Sequence, residues 1–159
     1  MTRATTRERT HRTEESGNAL VEFVIALPIV VALVLGVMSF GTAHEQKLSL
    51  TNAAREGARY GATLPSSTPN WAGLVQNVVV ASATGDLDTG VPGRSICVAL
   101  NNGSTWSGTS NAPCFSDGRP ANEARVQVLV SRSGKLDTFF FSRTTTLTGR
   151  AVVRFEAGS

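Results

Sequence analysis

The chain has 159 residues, a formal net charge of +3 at pH 7, and hydrophobic and aromatic shares of 41% and 6%. That length holds one membrane-length helix and one small further domain. Its 15 basic residues are scattered among 12 acidic ones, with no Lys/Arg run interleaved with aromatics, which argues against a nucleic-acid partner.

Residues 1–16 are polar and show no apolar periodicity. They carry Arg3, Arg7, Arg9 and Arg12 against Glu8, Glu14 and Glu15. Because Lys and Arg set topology, this leader is expected on the cytoplasmic side and the remainder of the chain outside it. His44, Glu45, Lys47, Arg55 and Arg59 stand on the other side of the apolar run, so the bias is small.

The run itself opens with Gly17-Asn18-Ala19-Leu20-Val21-Glu22-Phe23, and from Phe23 to Ala43 no side chain is charged. Roughly 20 residues make about 30 Å of helix, the thickness of a bilayer's hydrocarbon core. A transmembrane segment at about 19–41 is the expectation. Three plainer readings compete with a processed segment. A secretory signal with Gly41-Thr42-Ala43 as its cleavage site is opposed by the length of the run and by Glu22 at its start. A plain signal anchor would give Gly17 and Glu22 no role, and a buried core helix does not suit so many consecutive apolar residues. Pro28 removes one backbone donor early in the helix, and Gly36 and Gly41 offer small surfaces for close approach of another helix.

No breaker interrupts the chain from Thr42 until Pro65. Leu50, Ala54, Gly57, Ala58 and Gly61 recur at three-to-four spacing and form a narrow face of small residues, suited to close packing against the chain's own sheet or a neighbouring subunit. One long helix over 18–62 is expected, its first half in the membrane.

Two of these stretches carry a resemblance. Gly17 followed by Asn18-Ala19-Leu20-Val21-Glu22 resembles the processing site of type IV prepilins and pseudopilins. Leu50-Thr51-Asn52-Ala53-Ala54-Arg55-Glu56-Gly57-Ala58-Arg59-Tyr60-Gly61-Ala62 is similar to a segment of TadE-like proteins, minor pseudopilins of the tight-adherence (Tad) pilus system. The closing Arg150–Glu156 is a further, short likeness. The resemblance implies that a prepilin peptidase cuts between Gly17 and Asn18, releasing residues 1–17. It also implies that Glu22 pairs with the new amine of a neighbouring subunit, which offsets the cost of each charge in lipid. The plainer reading of Glu22 is a carboxylate that snorkels to the interface. Major Tad pilins are very short and carry Glu-Tyr here. This chain has Glu22-Phe23 and a substantial outer domain, and so resembles a minor component.

In the outer domain, 63–159, Pro65 to Pro69 reads as a turn. Trp71, Leu74, Val75, Val78 and Val79 fit a helical face reaching about Ala83, with a strand at Val78–Val80 as the alternative. Thr84–Gly93 reads as a loop, Ser95–Leu100 as a strand, and Asn101–Asn122 as an exposed loop. Alternation at Val126, Val128 and Val130 gives a strand over Ala124–Ser131, and Ser133-Gly134-Lys135 reads as a turn before a return strand, Leu136–Phe141. Thr144–Glu156 then forms a last strand, or two short ones broken at Gly149. An even cysteine count outside the cytoplasm suggests a Cys97–Cys114 disulfide tying the loop, against the alternative of two unrelated thiols. The fold class is α+β: a long N-terminal helix, its first half transmembrane, and a small, mostly antiparallel sheet domain on the pilin-like plan that the resemblance implies.

No catalytic constellation is legible. The two histidines, His11 and His44, lie in the leader and beside the membrane. Asp86, Asp88, Asp117, Glu123, Asp137 and Glu156 match no glycosidase or metal motif. The expectation is therefore a non-enzymatic protein with no cofactor, metal or small-molecule substrate. Its expected partners are the membrane, a prepilin peptidase, other pseudopilins and the pilus assembly machinery. The expected location is the cytoplasmic membrane, crossed once, with pilus incorporation left open. The alternative function is a plain signal-anchored binding domain using the 101–122 loop.

Overall fold

The computed structural model describes residues 7–137 and 142–155. Helix α1 spans Arg7–Thr63 and helix α2 Trp71–Ser82. Strands follow as β1 Ser95–Asn101, β2 Trp106–Gly108, β3 Arg125–Asp137 and β4 Ser142–Arg154. They form one antiparallel sheet in the order β2-β1-β3-β4. The α+β expectation is borne out.

The 57 residues of α1 extend for about 86 Å at 1.5 Å per residue. The helix begins at Arg7, upstream of the expected start at Asn18, and passes through Gly17 without a break. Glycine lowers helix propensity by only about 1 kcal/mol, which a long flanking helix tolerates. The C-terminal end is set by Pro65, whose ring disfavours helical geometry in the residue before it. Two carbonyls left open at that end find side-chain donors. Thr63 Oγ1 donates to Tyr60 O at 2.8 Å, and the buried Trp71 Nε1 donates to Gly61 O at 3.1 Å.

The small-residue face of α1 packs against its own domain. Leu50, Ala53, Ala54 and Ala58 are fully buried, beside Val75 and Val79 of α2 and Val98, Val126, Val128 and Val130 of the sheet. A Cβ on Gly57 would overlap the Val79 side chain, and one on Gly61 would lie 2.9 Å from Trp71 Cζ2. Alanine and glycine thus set how near the two helices lie. Residues 71–82 form α2, and the strand alternative at Val78–Val80 is not taken up.

One turn signal and one alternative strand break prove to be packing sites. Ser133-Gly134-Lys135 is not a turn: β3 runs on to Asp137, pairing Gly134 with Thr145 and Lys135 with Thr144. Gly134 is glycine because a Cβ would stand 2.7 Å from Leu147 Cδ1, on the buried side of the sheet. Likewise β4 is unbroken at Gly149, above which the α1 backbone passes at Leu50 and Thr51. Asp137 pairs with Ser142 as the last step of the hairpin, so the return strand is β4 rather than Leu136–Phe141. Of that expected strand, Leu136 and Asp137 belong to β3, and 138–141 lie outside the described residues. The polar loop also contains a short strand, β2, which pairs with Ala99–Asn101.

Helices cover one face of the sheet, through Val98, Leu100, Val126, Val128, Val130 and Ala151. Segment 109–124 covers part of the other face, over Ala99, Asn101, Arg125 and Gln127, all of them buried.

Candidate functional site

The first functional region is the outward surface of α1. Leu20, Phe23, Ile25, Ile29, Leu33, Val37, Met38 and Phe40 are all exposed, and the most apolar part of the helix is 0% buried. A contiguous apolar surface of this extent requires lipid or other apolar helices around it. It closes at Phe40, whose ring stacks on His44 one turn later with centroids 6.4 Å apart. Beyond His44 come Glu45 and Lys47, so the polar boundary falls at this pair. Thr42 Oγ1 donates to Ser39 O at 3.0 Å, which satisfies its hydroxyl within the helix. Among the described residues, one helix is long and apolar enough to cross a membrane, the build of a single-pass anchor.

Gly17, Asn18 and Glu22 all lie on α1 and all are exposed. Asn18 and Glu22 are four residues apart, on one stripe of the helix and separated by about 6 Å along its axis. Nothing lies within 4 Å of where a Cβ on Gly17 would stand, so that backbone is open to approach from its side.

The second region is the segment clasped over the far face of the sheet. Cys97 and Cys114 form a disulfide with a Cα–Cα distance of 5.8 Å and a separation of 17 residues in sequence. It fixes the segment over β1, next to Leu129 of β3. A buried polar cluster completes the clasp. Asp117 accepts from Gln127 Nε2 at 2.7 Å and from the Arg119 backbone N–H at 3.1 Å. Arg125 Nε stands 2.8 Å from Asp117 Oδ2, although its N–H makes no aligned hydrogen bond, and Arg125 NH2 donates to Oδ1 at 3.3 Å. Gln127 Oε1 accepts the Cys114 N–H at 3.0 Å, and Asn101 Nδ2 donates to Ala121 O at 2.7 Å. The Arg125 guanidinium also lies 5.1 Å from the Trp106 ring centroid.

Burial pushes the Asp117 carboxyl up, but the Gln127 amide, the Arg119 N–H and the Arg125 charge outweigh it and hold the group below its ordinary value of 3.8. The cluster is therefore an ion pair locked by hydrogen bonds. It is not legible in the sequence, where Asn101 reads as the start of an exposed loop and Arg125 and Gln127 as the solvent side of a half-buried strand. The signal that could have found it is the Cys97–Cys114 tie, since a segment held over a sheet face must cover polar residues there. Among the described residues, no group of three His, Cys, Asp or Glu side chains is placed to hold a metal ion.

An exposed apolar helix that runs unbroken into a helix-on-sheet head is the build of a membrane-anchored domain. Residues 17–59 match the TadE-like protein family, which bears out the resemblance read from the motifs. The match lies wholly within α1. No curated protein and no solved structure matches the chain.

Proposed function

We propose that the protein is a membrane-anchored minor pseudopilin acting in assembly of a Tad-type, type IVb-like pilus or a related secretion apparatus. Residues 1–17 are a cytoplasmic leader that a prepilin peptidase removes between Gly17 and Asn18, and the head stands outside the cytoplasmic membrane. The observation that carries this reading is the placing of Gly17-Asn18-Ala19-Leu20-Val21-Glu22 at the mouth of the exposed apolar helix, inside the TadE-like match.

The chemistry supports it. A peptidase needs its scissile bond extended, and a helix opens with least loss at glycine. Cleavage leaves the Asn18 ammonium near the membrane surface. Glu22 of a neighbouring subunit is then its counter-ion, since each charge alone is costly in lipid. The head is far larger than a pilus needs merely to stack helices, which favours a minor role over that of main subunit.

The test is the N-terminal residue of the mature protein, read by mass spectrometry of isolated membranes. Asn18 is expected, with the leader retained in a Gly17→Val variant and in a peptidase-deficient strain. A mature terminus at Met1 or Thr2 would reduce the protein to a plain anchor, and one at His44 would make it a secreted domain.

A further inference from the structure

Strand β4 forms one edge of the sheet, and among the described residues no further strand pairs with its outer side. The opposite edge is short. There β2 has 3 residues, and Thr109 extends its pairing with β1, the Thr109 N–H donating to Val98 O at 2.8 Å and its hydroxyl accepting the Val98 N–H at 2.9 Å. By contrast β4 has 13 residues, and its register with β3 holds without a bulge from Arg154↔Arg125 to Ser142↔Asp137. It contains no proline and no bulge, two common devices for blunting an open edge.

The ladder shows which groups are available. The Phe155 N–H donates to Ala124 O at 3.1 Å, so 155 and 124 face each other through hydrogen bonds. Antiparallel alternation then turns the N–H and C=O of residues 143, 145, 147, 149, 151 and 153 toward β3. Those of Thr144, Thr146, Thr148, Arg150 and Arg154 point outward, and all five residues are exposed. The strand is held in place from above, because the α1 backbone at Leu50 sits directly on Gly149. The edge is therefore anchored at Gly149 before any partner arrives.

Its charge selects the partner. Within β4 stand Arg143, Arg150 and Arg154 and no carboxylate. Arg143 and Arg154 lie exposed near the two ends, on either side of a threonine-rich centre. A second copy of the strand would bring three more arginines to the same edge, so self-pairing is disfavoured by charge. We propose that the outer edge of β4 docks an extended, acidic segment of a partner protein, which joins the sheet as an added strand. Main-chain hydrogen bonds supply the attachment and the arginines choose the sequence. This inference concerns the sheet edge alone and stands whether or not Gly17 is a cleavage site.

The full chain in lipid nanodiscs would be mixed with a synthetic peptide alternating glutamate and valine, and separately with its lysine counterpart. Only the acidic peptide is expected to bind, slowing hydrogen exchange at the Thr144, Thr146 and Thr148 amides by about tenfold or more while the already paired Leu147 and Gly149 amides change little. Thr146→Pro removes an outward N–H that β3 does not use and should abolish binding with the head still folded. Arg150→Glu with Arg154→Glu, two exposed positions on the same face of the strand, should transfer the preference to the lysine peptide, and it decides the matter should the proline variant fail to fold. Equal binding of both peptides, unchanged exchange in β4, or binding that survives Thr146→Pro would overturn the proposal. So would concentration-dependent self-association abolished by that variant, which would make a second copy the occupant.

Discussion

The backbone carbonyl of Leu50 occupies the place where a side chain on Gly149 would begin. Because the obstacle is main chain on a helix that is itself packed against α2, no rotamer change relieves it. Gly149→Ala should therefore lower the stability of the head by about 1–3 kcal/mol. The thermal unfolding of the full chain in detergent, followed by the fluorescence of buried Trp71, measures this. Gly90→Ala, with open space around it, serves as the control and should stay within about 0.5 kcal/mol of the parent.

Removal of the Cys97–Cys114 link frees segment 109–124 at one end only. The chain-entropy relation for a loop of this size gives a loss of about 3 kcal/mol. The polar cluster around Asp117 still holds the other end. Cleavage by a protease of broad specificity should thus appear first between Cys97 and Cys114 once the protein is reduced, with β3 and β4 surviving intact. Immediate loss of the whole head would show that the cluster holds nothing without the disulfide.

Asp117 and Arg125 expose only 7% and 5% of their side chains. Asp117→Asn keeps the shape but leaves the arginine buried without its counter-charge, at a cost of about 3–5 kcal/mol. Replacing both residues by leucine should cost less than the single change, because no charge is then stranded. Unfolding midpoints of the two variants under one set of conditions make the comparison.

The same carboxylate gives the head an acid limit. Its affinity for a proton is lower folded than unfolded, so the unfolded chain takes up the proton first as the pH falls. The stabilisation is complete above the unfolded value of about 4 and is lost as the pH drops through the lower folded value. Between about pH 5 and 7 this group contributes no slope. A plot of midpoint against pH should bend below about 4 in the parent, and that bend should be weaker in Asp117→Asn.

Glu22→Gln tests the pairing role apart from insertion. The substitution makes the helix less costly to insert, so membrane recovery should equal that of the parent. Crosslinking of neighbouring copies near Asn18 and the yield of pili are the readouts expected to fall. Unchanged pili with a normal mature terminus would leave Glu22 as a snorkelling carboxylate.

The long helix, the small-residue face and the hairpin's first strand were legible because each rests on periodicity along one stretch of chain. The residues of Leu50–Gly61 announced a close contact, and α2 and the sheet fill it. Glycine misled at Gly134 and left Gly149 open between a break and a continuous strand, because a missing Cβ serves equally for a turn and for close packing, against Leu147 at Gly134 and beneath the α1 backbone at Gly149. Only the assembled fold separates the two. The Asp117–Arg125–Gln127 cluster escaped for a related reason. Alternation along β3 tells which residues share a face but cannot say that another segment lies over it.

Helix α1 carries no hinge between the Phe40–His44 pair at the membrane boundary and the buried Leu50 at the head. The orientation of the head is thus a matter of phase, fixed by how many residues separate those two points. One residue inserted there would turn the head by about 100° about the helix axis and raise it by about 1.5 Å, with every contact inside it preserved. The spacer between membrane and head works as an indexing shaft, and the surface that the protein shows its neighbours is set by a residue count.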